Sequence, residues 1–258
     1  MTRTLSQIEK YRQGDAVIQV QDEASRSCPG LPIWVEQESH DFCFGCAVPN
    51  LDNLSDTDRR RCLDPLAEVF NQQIPIEGAY RIEVPDRIHL GSLHAELDEL
   101  AKNGQRLEVH VSGRTIGLAD LDEREGARRL ADLYTLCFAH PAVRGIIWHG
   151  FRDGDADVQG GGLLRQDFSP KPAFRMLQKL VGTVWHSRAS GQTDACGQFH
   201  FRGFWGSYRA AVMTGSRAHV ATISLHVEHD PAEPFAITID SMETCLKEPS
   251  APAANLPE

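Results

Sequence analysis

The chain has 258 residues, of which 41% are hydrophobic and 24% charged, and its formal net charge is -10. That length suits one barrel-sized domain or two smaller ones, and no window approaches the roughly 18 uninterrupted apolar residues of a membrane span. The acidic balance, with no basic run denser than Arg59 to Arg61, argues against a partner gripped by its phosphate backbone, so neither nucleic acid nor membrane is expected.

The opening MTRTLSQIEKYRQGD is polar and lacks an apolar stretch or a small-residue cleavage site, so no secretory signal is read and the chain as written has a cytoplasmic address. Residues 15–22 (DAVIQVQD) and 31–38 (LPIWVEQE) alternate apolar and polar side chains around Cys28, Pro29 and Gly30, which reads as two strands wet on one face. The aromatic segment SHDFCFGCAV fits a buried strand. Leu63, Leu66, Val69 and Phe70 recur at helical spacing behind Ser55 and Asp56 as caps, which predicts a helix over 56–71 with Arg59 to Arg61 on its solvated face. A strand over 74–84, a helix over 92–103 stopped by Gly104, and a strand over 106–113 follow. Next come a long amphipathic helix over 121–139, a buried strand over 143–151, and a helix over 169–181 entered through Pro-Lys-Pro.

Strands and helices alternating in units of this size predict parallel β/α architecture over about 41–188. After Trp185 the texture changes to short alternating strands, QFHFRGFWGSYRAAVM, AHVATISLHVEH and FAITID, with glycine turns. These strands (189–240) are expected to join the N-terminal ones (14–40) in a small β-sandwich built from both chain ends, with Trp205 packed inside it. The Pro- and Ala-rich tail, 241–258, reads as disordered. Seven cysteines without framework spacing read as free thiols. His40 with Cys43 and Cys46 lacks the second ligand pair of a structural zinc site, so no metal is expected, and no cofactor. The run Gln159-Gly160-Gly161-Gly162 reads as a flexible loop and no phosphate cradle, because no Walker-type lysine follows it.

SHDFCFGCAV, IPIEGAYRIEV, RLEVHVSG and VRGIIWHGFRDGDAD, with LLRQDFSPKPAF behind them, resemble the first, sixth, seventh and eighth barrel strands and the final helix entry of family 10 glycoside hydrolases, the xylanase type. The most specific piece is Trp-x-Gly-x-x-Asp at a strand end, then a glycine-rich loop and Ser-Pro-Lys-Pro-Ala-Phe. The resemblance implies an incomplete (β/α)8 TIM-type barrel, since strands two to five have no counterpart, nor does the Trp-Asp-x-x-Asn-Glu segment that supplies the family's acid/base. It casts Glu108 as the nucleophile of a retaining mechanism, Trp148 as a sugar platform, Asp153 as a hydroxyl ligand and His110 as an orienting donor. The implied partner is a xylan-type poly- or oligosaccharide, with Glu77 or Glu83 as the nearest second carboxylate. A binder that has lost hydrolysis is the alternative, and an incomplete gene product, self-associating through exposed sheet edges, is a third.

Overall fold

The structure, a computed structural model, describes residues 2–47, 54–71, 80–84, 89–154 and 159–240. It begins with an element that the polar N-terminus does not announce, helix α1 (Thr2–Arg12). Ile8 and Arg12, one helical turn apart, are both buried. A stripe this narrow is too short to read as periodicity, and tertiary packing holds the helix.

Four parallel strands make the central sheet: β3 (Cys43–Cys46), β4 (Tyr80–Glu83), β5 (Leu107–Ser112) and β6 (Val143–His149), in the order β3-β6-β5-β4. The buried runs of β3, β5 and β6 are near-continuous, as strands covered on both faces must be, while the edge strand β4 buries only Ile82. The connecting helices are α2 (Asp56–Val69), α3 (Leu90–Ala101), the four-residue α4 (Gly113–Ile116), α5 (Glu123–Ala139) and α6 (Pro172–Lys179). Ser55 and Asp122 cap α2 and α5 by accepting backbone N–H groups, so each long helix starts where its Ser or Asp places it. The closing helix ends earlier than its sequence predicts and runs into a π turn over Leu180–Val184. Of the expected strand over 74–84, β4 accounts for the last part; residues 72–79, Glu77 among them, lie outside the described residues, as do Cys245 and the tail.

Around this sheet Phe42, Phe44, Phe138, Trp185 and Phe204 pack ring on ring, with the Phe44 and Trp185 planes stacked at 5.8 Å. Arg12 reaches into the same cluster. Its guanidinium lies 4.8 Å from the Phe42 ring and donates to the carbonyls of Phe138 and His140 at 2.6 Å and of Val143 at 2.7 Å. A cation at the open carbonyls of a helix C-terminus complements the helix dipole. Burial, with Arg144 nearby, draws its pKa down to about 9, which still leaves it charged at neutral pH.

Two further sheets share a second core. One is β11-β1-β8, from β1 (Gln13–Asp22), β8 (Gln198–Phe204) and β11 (Phe235–Ile239). The other is β10-β9-β2-β7, from β2 (Pro32–Gln37), β7 (Arg188–Gln192), β9 (Gly206–Thr214) and β10 (Arg217–Leu225). Ile18, Val20, Ile33, Val35, Phe201 and Val212 point into the space between them. The sheet with β1 is mixed, because β11 pairs with β1 in parallel while β8 pairs antiparallel. Strand β7 has no apolar alternation in its RASGQ, so the sequence gives no sign of it. The stretch QFHFRGFWGSYRAAVM breaks into two strands at Trp205, whose ring lies over Gly14, where an added Cβ would stand 2.0 Å from the indole. The whole is a mixed α/β structure with three sheets, and among the described residues the parallel sheet is open, with β3 and β4 at its edges.

The β3 edge is not bare. Asn71, just past α2, donates its N–H to Phe44 O at 2.9 Å and accepts the Phe44 N–H on Oδ1 at 2.9 Å. Its Nδ2 donates to Phe42 O at 3.0 Å and to His40 O at 3.1 Å. One residue thus satisfies the Phe44 N–H and carbonyl and the Phe42 carbonyl, part of what a neighbouring strand would take at this edge.

Candidate functional site

In β5, alternate residues share one face of the strand, so Glu108 and His110 lie side by side. Both are enclosed: Glu108 is 2% exposed, and its Oε1 lies 2.5 Å from His110 Nε2. The other ring nitrogen, Nδ1, is 2.8 Å from His149 Nε2 at the end of β6. If His110 gives its Nε2 proton to the carboxylate, its Nδ1 accepts from His149, and the three form a relay. From β4, Glu83 Oε1 comes to 3.9 Å of the same Nδ1 and is 65% exposed on its side chain. The imidazole is therefore hydrogen-bonded to buried Glu108 at one nitrogen and to His149 at the other, with solvated Glu83 near the second.

Trp148 lies on the neighbouring strand, since β5 and β6 pair directly with Val111 opposite it. Its position corrects the expected role. The indole is 0% exposed, and its N–H donates to Gly150 O at 3.1 Å, so no face is open for a sugar and the residue is core. The resemblance cast it as a platform, whereas β6 and its neighbour β5 are covered on both faces and have no solvent side to put it on.

Asp153 belongs to a different place. Just beyond the carboxyl end of β6, it accepts from Lys171 Nζ at 2.6 Å and from Gly162 N–H at 3.0 Å, and Lys171 also donates to Gly160 O at 2.8 Å. Beside this brace, Arg165 pairs with Glu123 at 2.5 Å. These four residues, with Gln159 and Gln166, line a cavity of about 480 Å³ between the segments that follow β5 and β6. Open α/β sheets bind ligands at this carboxyl edge. Each acid in the cavity is paired to a base. The wall therefore offers donors and acceptors without a strong net field, which suits a neutral polyhydroxylated molecule better than an ion.

The glycine run has a structural reason and differs from the flexible loop expected. A Cβ on Gly162 would stand 2.4 Å from Asp153 N, and one on Gly113 would stand 2.2 Å from Gly161 O. Two backbones touch here, and only glycine permits it.

Sequence reasoning missed Lys171, Arg165 and His149 as partners in these clusters. Lys171 was in view as part of Ser-Pro-Lys-Pro, but no local pattern shows that it turns back onto Asp153. Cys43 and Cys46 are core groups, and His40 is half-buried at the edge of the aromatic cluster. Burial, with His186 nearby, brings the His40 pKa down to about 4, and its ring packs among Phe44, Phe138 and Phe204. Burial pushes the Cys43 thiol up to about 12 and Cys46 further still, so both stay protonated. Among the described residues no group of three or more His, Cys, Asp or Glu is disposed to hold a metal ion.

No family model matches the chain. The anti-sigma-I factor RsgI6 of Acetivibrio thermocellus is 35% identical over 112 residues, which cover 41% of this chain and 14% of that protein's length. Among solved structures, xylanase 10B of Thermotoga maritima is 18% identical over 42% of this chain and 36% of its own, with a TM-score of 0.30. Xylanase B of Clostridium stercorarium F9 is also 18% identical, over 50% of this chain and 44% of its own, at a TM-score of 0.28. The likeness to xylanases is weak and partial, and a relative named as an anti-sigma factor gives no support to a catalytic reading.

Proposed function

We propose that the chain is a shortened family 10 glycoside hydrolase-type barrel that holds a neutral oligosaccharide of the xylan type at the carboxyl edge of its sheet and does not cleave it. The observation that carries this reading is the charge-paired, hydrogen-bonding cavity at Asp153, Lys171, Glu123 and Arg165. Support for the barrel origin comes from strand order. The segments that resemble a first, eighth, seventh and sixth strand lie side by side in that order, all parallel.

Retaining hydrolysis needs two carboxyl groups about 5 to 5.5 Å apart across the reacting carbon. Here the buried Glu108 carboxylate is held by His110, and Glu83 comes to the same ring at its other nitrogen, so an imidazole lies between these two carboxylates. Calorimetric titration with xylohexaose is expected to show binding without release of reducing sugar, and Gln159→Ala with Gln166→Ala is expected to weaken it. No binding at millimolar sugar overturns the reading. Reducing sugar that disappears in Glu108→Gln overturns the non-catalytic part of it and restores the hydrolase.

A further inference from the structure

We propose that the outer face of the sheet β10-β9-β2-β7 is a second carbohydrate site, centred on Trp34, that takes a neutral polysaccharide chain lying across the strands. The ligand class rests on the reading of the cavity given above, while the site itself lies on another sheet.

Strand β2 is an inner strand, flanked by β9 and β7. Its alternation sends Ile33 and Val35 into the core and Trp34 to solvent, where the side chain is 49% exposed. A large aromatic left half in water in the middle of a sheet is a rigid flat surface on which the apolar face of a ligand can stack. The register sets its neighbours: Ala211 is opposite Trp34 on β9, Val220 is opposite Ala211 on β10, and Ser190 is opposite Trp34 on β7. Ala211 and Ser190 are small, so the indole stands above both flanks. With Val220, itself 51% exposed, it makes an apolar stripe at right angles to the strands.

Two residues along, at a spacing of about 7 Å, lies a polar row. Glu36 is opposite Arg209 on one side and Arg188 on the other, with Arg188 Nε 2.8 Å from Glu36 Oε1, and all three are exposed. A pyranose has an apolar face, which an indole can cover, and a rim of hydroxyls, which carboxylate and guanidinium groups can bind. The stripe and the row present those two chemistries in parallel on a flat surface open at both ends, the shape an extended chain needs.

A second copy of this chain is the other occupant such a face could have. A stable protein interface buries about 800 Å² on each partner around an apolar centre. A stripe of three residues bordered by a charged row is too narrow to supply that.

The test uses the full chain in two assays: electrophoresis through gels containing soluble arabinoxylan, and calorimetric titration with xylohexaose. Trp34→Ala is expected to weaken arabinoxylan affinity by about tenfold or more, with Trp34→Phe retaining part of it. The melting temperature should fall by only a few degrees, since about half of the side chain faces solvent. Retardation of Trp34→Ala equal to wild type overturns the proposal, whatever the cavity does. Loss in Trp34→Ala with no effect of the Gln159→Ala, Gln166→Ala pair on either sugar leaves this site standing and removes the cavity reading. Ultracentrifugation that shows a concentration-dependent dimer abolished by Trp34→Ala overturns it in favour of self-association.

Discussion

Replacing Asn71 by alanine tests whether a single side chain covers part of the β3 edge. The substitution keeps the backbone bond from Asn71 N–H to Phe44 O and removes three side-chain bonds, at 2.9, 3.0 and 3.1 Å. Two of them serve partly buried groups, the Phe44 N–H and the Phe42 carbonyl, where water replaces the amide poorly; the third, to His40 O, is exposed. Leaving a buried polar group unpaired costs about 1 to 3 kcal/mol, so the two together come to about 2 to 3 kcal/mol once partial exposure is allowed for. For a chain of this size that corresponds to a fall in melting temperature of roughly 5 to 10 °C. Asn71→Asp sharpens the test. It keeps the acceptor for Phe44 N–H but turns a carboxylate oxygen toward two carbonyl oxygens, so it should be destabilised at least as much as alanine. Scanning calorimetry gives the first quantity, and sedimentation shows whether the uncovered β3 edge now recruits a second chain. A melting temperature within 1 °C of wild type for both variants, with no change in sedimentation, would refute the reasoning.

The half-buried His40 makes stability acid-sensitive. Its folded pKa of about 4 lies below its ordinary 6.5, so its contribution is whole above pH 6.5 and is lost as pH falls from there to 4, by about 3 kcal/mol in all. Urea denaturation across that range should show the slope, and His40→Phe, which cannot titrate, should reduce it, the remainder coming from His140 and His186, whose pKa values burial also lowers. Arg12→Met strands the carbonyls of Phe138, His140 and Val143 in the core and should lower stability by about 3 kcal/mol or more, with Arg12→Lys recovering a part. Equal stability of Arg12→Met and wild type in the same denaturation would show those bonds to be unimportant. Gly162→Ala places a methyl against Asp153 N and should disturb the Lys171–Asp153 brace, weakening xylohexaose binding severalfold with a smaller loss of stability; unchanged binding would separate the loop from the cavity.

Local chemistry in the sequence was enough to place most of the parallel unit. Ser55 and Asp122 fix helix starts by offering an oxygen to backbone N–H groups two or three residues ahead, and the apolar run of β6 reads as a strand buried on both faces, whereas the burial of Glu108 and His110 in the alternating β5 is decided by its neighbours. Alternation in LPIWVEQE likewise sends Ile33 and Val35 inward and leaves Trp34 outside, a signal present in the string though its meaning depends on what lies beside it. What the string leaves undetermined is every relation between side chains distant in sequence. Trp148 becomes core because the sheet is covered on the side it faces, and Asp153 becomes half of an ion pair because Lys171, 18 residues on, folds back to it. Arg12 finds its carbonyls more than 120 residues away, and Asn71 finds a strand edge 27 residues behind it. Such contacts are set when elements pack, and packing depends on shape and register across the whole chain, which no short window of residues contains.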